Sequence, residues 1–212
     1  MGRKIDNKLG EIRLNNMGTK MEIINYNGTL DMDIKFYHEI NGKQLTYIRK
    51  NVQYGNFESG TLKSPYDITI RDFGYIGVGK YDRRYKDEEG NIILTKEFVA
   101  YEKMIMNCEK DNCTMYNKWM DFQQFAEWYN SVSYDCSQKL KLTRLSSVIA
   151  SPSNCVLLPH SVFTQYNKIF TGRISVNRFM SYLEKWEDII PDNEYSKLFS
   201  ITMELMYSKR TA

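Results

Sequence analysis

The sequence predicts an α+β fold: a small antiparallel β unit first, a central helix and ββα unit next, and helices last. Three observations carry this expectation. Met32, Ile34 and Phe36 alternate with Asp31, Asp33 and Lys35, the period of a strand with one buried face. Asn-Gly pairs occur at Asn27-Gly28 and Asn41-Gly42 between strand-like runs, and a two-residue hairpin favours Asn-Gly because both of its positions need positive φ. From Lys96 onward the apolar spacing lengthens to that of a helix, as in Phe98, Tyr101, Met104 and Ile105.

Taken in order, residues 1–20 are polar and rich in Asn, Gly and Lys, and read as an irregular lead-in with one short strand. MEIINY, TLDMDIKFYHEI and KQLTYIRKNVQY then form a three-stranded meander joined by the two Asn-Gly turns, closed by GNFESGTLKSPY. Pro65-Tyr66-Asp67 ends that unit. FGYIGVGKY follows, with Gly74, Gly77 and Gly79. It lacks the Gly-Lys-Ser/Thr of a phosphate loop, so a Gly-rich strand with a bulge or close packing is expected. Asp87-Glu88-Glu89-Gly90 is a solvated turn between two strands.

EFVAYEKMIMNC and NKWMDFQQFAEWYNSV are helices. The stripe Trp119, Phe122, Phe125, Ala126 and Tyr129 on the second reads as core, because base-stacking platforms are usually displayed on sheets or grooves. KLKLTRLSSVIASPSNCVLLPHSVF, Lys139 to Phe163, reads as strand, loop, strand and the start of a helix. RISVNRFMSYLEKWEDII and EYSKLFSITMELMY give the last helices, with Asp192 expected as the N-cap of the final one and Glu194 in its first turn. The expected organisation is 1–68 as a small β-barrel-like unit, 69–170 as the ββα unit with flanking strands and helices, and 171–212 as a helical segment.

Composition excludes some classes. Hydrophobic residues at 42% and charged residues at 26% are those of a globular chain rather than a disordered one. A net charge of +3, from 29 basic and 26 acidic residues, is too mild to establish nucleic-acid binding and does not oppose it. No run of ~18 apolar residues marks a membrane span, and the polar MGRKIDNKLGEIR is unlike a signal peptide. The expectation is a cytoplasmic protein without membrane attachment, its thiols Cys108, Cys113, Cys136 and Cys155 reduced. Zinc sites usually show two close Cys pairs, and here only Cys108 and Cys113 lie close. Buried or half-buried free thiols are therefore expected.

NNMGTKMEIINYNGTLDMDIKF, KNVQYGNFESGTLKSPY, FGYIGVGKY, KWMDFQQFAEWY, SPSNCVLLP and IIPDNEYSKLF occur in an order that resembles phage and prophage HNH-type endonuclease-like proteins, from about residue 15 to about residue 200. The resemblance implies a nucleic-acid protein of phage origin acting in the host cytoplasm, with a ββα-metal unit in its second half. In such units a divalent cation stabilises the leaving oxygen while a base activates water. The resemblance places two acids at positions held here by Lys141 and Thr143, an Asn at Phe163 and a second Cys at Tyr116. Magnesium needs several oxygen ligands, typically with one or two carboxylates, and a lysine repels it.

The expected function is therefore nucleic-acid binding on a catalytically degenerate nuclease scaffold, with DNA as partner and no cofactor. Arg83, Arg84, Lys86, Lys139, Lys141, Arg144, Lys168 and Arg173 are the candidate phosphate contacts. Two alternatives stand beside it. One is a protein-binding inhibitor of a host machine, in which the aromatic C-terminal helices form a partner or homodimer face. The other is an active magnesium-dependent endonuclease using His160 as base, with ligands drawn from Asp121, Glu127 or Asp135.

Overall fold

The structure is a computed structural model, and it describes residues 7–145 and 148–208. The chain is α+β and divides into two compact units, residues 1–80 and 81–212.

Unit 1 is an antiparallel sheet in sequential order: β1 (Ile12–Leu14), β2 (Lys20–Tyr26), β3 (Met32–Ile40) and β4 (Lys43–Val52). The alternation read from the sequence sets its buried face. Met32, Ile34 and Phe36 point inward with Met21 and Ile23 of β2, and a short helix, α1 (Tyr54–Glu58), lays Phe57 against them. The two Asn-Gly pairs behave differently. Ile40 pairs with Lys43, so Asn41 (φ 50°) and Gly42 (φ 73°) form a two-residue turn with both positions left-handed. At the first pair the connection runs from Asn27 to Asp31 and closes through Asn27 N–H to Asp31 O at 3.0 Å. The residues that follow Gly28 lengthen this loop, and a two-residue turn does not form.

Gly60 is constrained by a close approach. At φ +68° its Cβ position would lie 2.8 Å from Asn16 Oδ1, and its carbonyl accepts from Asn16 N–H at 2.8 Å. The glycine-bearing segment after it forms no extended strand, only isolated bridge positions such as Ile70 with Gly74. The expectation of a strand there is corrected: its backbone bonds close locally, as in Gly74 N–H to Ile70 O at 2.9 Å.

Beneath the sheet lies a polar knot. The Asp67 carboxylate, 2% exposed, accepts from Ser64 N–H at 2.7 Å, Asn15 Nδ2 at 2.9 Å and Thr19 Oγ1 at 2.6 Å. His38, on the inward face of β3, lies 2.9 Å from Ser64 Oγ. Burial pushes the His38 pKa below its ordinary value, and the Asp67 charge only partly offsets this. Folded His38 thus resists a proton that the unfolded chain accepts, so stability is present above about pH 6.5 and falls as the pH drops below it. Amide exchange in β2–β4 is expected to quicken, relative to a His38→Gln variant, as pH is lowered from about 7 to about 5.5. Equal pH dependence in both proteins would refute this.

Unit 2 opens with a hairpin of β5 (Arg84–Lys86) and β6 (Ile92–Leu94). Asp87 shapes its turn, accepting from Glu89 N–H and Asn91 N–H. Helix α2 (Lys96–Asp111) then packs on α3 (Phe122–Ser131) through the aromatic stripe. Phe98 meets Phe122 edge-on at 5.2 Å, Trp119 meets Phe125 at 5.1 Å, and Tyr101 donates to Trp119 O at 2.6 Å. Asp121 caps α3 by accepting from Gln123 N–H at 2.9 Å. Between these helices, β7 (Thr114–Met115) forms a short parallel pair with β9 (Ile149–Ala150).

The ββα succession follows. Strand β8 (Leu140–Arg144) pairs antiparallel with β10 (Cys155–Pro159), and α4 (His160–Phe170) leaves directly from β10. All five residues of β10 are buried. Val156 and Leu158 join a core with Val162, Tyr166 and Ile169 of α4 and with Phe179 and Leu183 of α5 (Val176–Leu183). The expected long helix after Arg173 ends at Leu183 and tightens to a 3₁₀ turn at Glu184–Trp186. The last helix, α6 (Asp192–Ser208), begins at Asp192 itself, with Pro191 O accepting from Glu194 N–H and Tyr195 N–H at 2.9 Å. Asp192 is therefore a first-turn residue, not the cap. Glu194, 2% exposed, locks α6 to β10, accepting from Leu157 N–H at 3.3 Å and from Lys197 Nζ at 2.6 Å.

Candidate nucleic-acid interface

A groove of about 1090 Å³ runs along unit 2 between α2, the C-terminal end of α3, the segment before β8, β8 itself and the first turn of α4. Its charged lining is Lys96, Glu97, Lys103, Asp135, Lys139 and Lys141. Among the described residues none of the four lysines has a hydrogen-bond or ion-pair partner through its side chain. Four free ammonium groups against two carboxylates give the groove a positive potential. Lys141 lies in β8 and Lys139 immediately before that strand, two residues apart. Lys96 and Lys103 are seven apart on α2 and so share a face. Phe163 of α4 and Tyr134 add aromatic surface, and the Tyr134 hydroxyl donates to Leu157 O at 2.9 Å.

The structure thus brings together Lys139, Lys141 and Phe163. Lys141 and Phe163 are two of the positions at which the resemblance implies metal ligands. Thr143, the third, is 5% exposed, and its Oγ1 donates to Lys141 O at 3.4 Å. Lys96 and Lys103 were not singled out from the sequence. Their seven-residue spacing was a usable signal, but only the packing of α2 beside β8 makes it meaningful.

Arg144 is placed differently from the other candidates. It leaves the opposite side of β8 and reaches the C-terminus of α2, donating Nη2 to Asp111 Oδ2 at 2.8 Å and Nη1 to the Cys113 and Cys108 thiols. The helix end explains the grouping. Asn112 is left-handed (φ 51°) and Cys113 N–H returns to Cys108 O at 2.9 Å, turning the chain back on itself. Cys155 lies opposite Arg144 in the β8–β10 register. Burial pushes the thiols of Cys108 and Cys155 up to about 12, so both are protonated at neutral pH. The Arg144 guanidinium is committed to this cluster, away from the groove. The four cysteines are free, two buried and two half-buried.

Lys168 and Arg173 come together at the turn between α4 and α5, in a separate cleft of about 410 Å³ that also holds Arg178. Arg83, Arg84 and Lys86 are candidate contacts that the hairpin separates. Arg84 and Lys86 lie in β5, two apart and exposed, while the Arg83 guanidinium stacks 5.2 Å from the Phe98 ring centroid. His160 is the exposed first residue of α4, and its carbonyl accepts from Thr164 Oγ1 at 2.8 Å. Asp121 is held at the α3 cap, Glu127 lies on the exposed side of α3, and Asp135 lines the groove. Among the described residues these acids and His160 do not gather into a group that could hold a metal ion.

No family model, curated protein or solved structure matches this chain. Among the described residues no helix is long and apolar enough to cross a membrane.

Proposed function

We propose that this chain is a phage-type nucleic-acid-binding protein built on an HNH-like ββα scaffold that grips phosphate and does not cut. The carrying observation is the groove: four unpartnered lysines from two elements, two of them flanking or within the first strand of the ββα unit. Ammonium groups spaced along a groove can displace counterions from a polyanion, which gives affinity without sequence preference. Lysine at the first-strand position and phenylalanine on the helix supply no oxygen for magnesium, which supports a binding role over a catalytic one. DNA is the expected partner, in a host cytoplasm.

The test is affinity for a short random DNA duplex across a salt series with magnesium present, followed by analysis of the DNA for breaks. The expected result is binding that weakens steeply with salt and leaves the duplex whole. Absence of binding at low salt would overturn the nucleic-acid reading in favour of a host-protein partner, and cleavage would overturn its non-catalytic part.

A further inference from the structure

We propose that the cleft between α4 and α5 is a site for a terminal phosphate group, distinct from the lysine groove. Its lining is Gln165, Lys168, Arg173, Ile174, Arg178 and Tyr182, with three cations and no carboxylate. None of the three cations has a hydrogen-bond or ion-pair partner through its side chain among the described residues.

The chain holds these groups close by backbone geometry. Helix α4 ends with Gly172 left-handed at φ +69°, Gly172 N–H bonding Ile169 O at 3.1 Å and Arg173 N–H bonding Lys168 O at 3.0 Å. This reversal brings Arg173 back beside Lys168. Ser175 then caps α5, its Oγ accepting from Arg178 N–H at 3.2 Å, so Arg178 is fixed in the first turn. Lys168 at the end of α4 suits the helix dipole. Arg178 at the start of α5 does not, and the first turn of α5 has no acid to offset it. Three like charges held together without a counterion are mutually destabilising, and a bound anion relieves that repulsion.

The chemistry favours phosphate. Two guanidinium groups offer planar pairs of N–H donors that match phosphate oxygens, and Lys168 adds a point charge. A terminal phosphomonoester carries nearly two negative charges at neutral pH, against one for a backbone diester. Three cations therefore discriminate in its favour. The volume exceeds what a phosphate alone fills, and Ile174 and the Tyr182 ring offer apolar wall for the attached sugar. The assignment rests on the nucleic-acid reading only for the source of the phosphate, a strand end rather than a free nucleotide.

The experiment measures binding of the full chain to one single-stranded oligonucleotide in three forms, with a 5′-phosphate, with a 3′-phosphate and with neither. AMP and inorganic phosphate serve as further probes. One phosphorylated form is expected to bind on the order of tenfold tighter than the unphosphorylated one. The preference should vanish in an Arg173→Gln, Arg178→Gln variant, whose changed residues are exposed, and persist in a Lys139→Ala, Lys141→Ala variant that weakens all three forms. Binding of AMP or phosphate that the Arg variant abolishes, with no oligonucleotide bound, would support the cleft and overturn its nucleic-acid source. Equal affinity for all three forms, with no binding of AMP or phosphate, would overturn the site.

Discussion

Asp67→Ala should cost unit 1 about 3–5 kcal/mol, enough to unfold a marginal domain. The side chain is not a member of the apolar core, yet both of its oxygens are committed. It holds Ser64 N–H, Asn15 Nδ2 and Thr19 Oγ1 within 2.6 to 2.9 Å. Truncation strands these donors where water has little access, and each orphaned buried group costs about 1–3 kcal/mol, less than additively. Asn15 would also lose the contact that aims its amide, which donates to Leu62 O at 3.0 Å. Through that amide the turn at Ser64–Asp67 is tied to the start of the sheet. All three Trp lie in unit 2, so Trp fluorescence is a poor probe of this change. Hydrogen exchange over β2–β4 is the suitable measurement. Asp67→Asn, which keeps one acceptor oxygen, should lose clearly less. A loss below about 1 kcal/mol for the Ala variant would show that water takes over these bonds.

Replacing Lys139 and Lys141 together with Ala should weaken DNA binding by about 60-fold at ~0.1 M salt and flatten the slope of log affinity against log salt by about 1.8. The magnitude follows from counterion release, at ~0.9 ions per phosphate contact and so about eightfold for each contact. Neither ammonium group has a partner among the described residues, so their removal leaves no orphaned group there, and stability should change little. That separates the expected binding defect from misfolding, with far-UV circular dichroism as the control. Unchanged affinity and slope would remove the groove from the interface.

Much of the fold was legible because it depends on local patterning. The alternation at Met32, Ile34 and Phe36 set which face of β3 is buried, and the spacing of Phe122, Phe125 and Tyr129 set the core face of α3. Asn41-Gly42 gave its turn correctly, since two left-handed residues suffice to specify it. Asn27-Gly28 did not, because hairpin loop length also depends on where the flanking strands find their register. Lys139 and Lys141 were readable as a charged pair, whereas Arg144, three residues further on, looked equivalent in sequence. Its strand parity sends it to the other side of β8, where Asp111 and two thiols capture it.

By itself the sequence determined the α+β class, the apolar faces of the main strands and helices, and the two strands and helix of β8, β10 and α4, though not the short β9 between those strands. These follow from residue periodicity and turn chemistry, which act over a few positions. Tertiary structure alone decided which cations share a surface. Lys96 and Lys103 meet Lys141 only because α2 packs beside β8, and Arg178 joins Lys168 and Arg173 only because Gly172 reverses the chain. Charge convergence depends on distances across the fold, and those are set by packing among residues far apart in the chain.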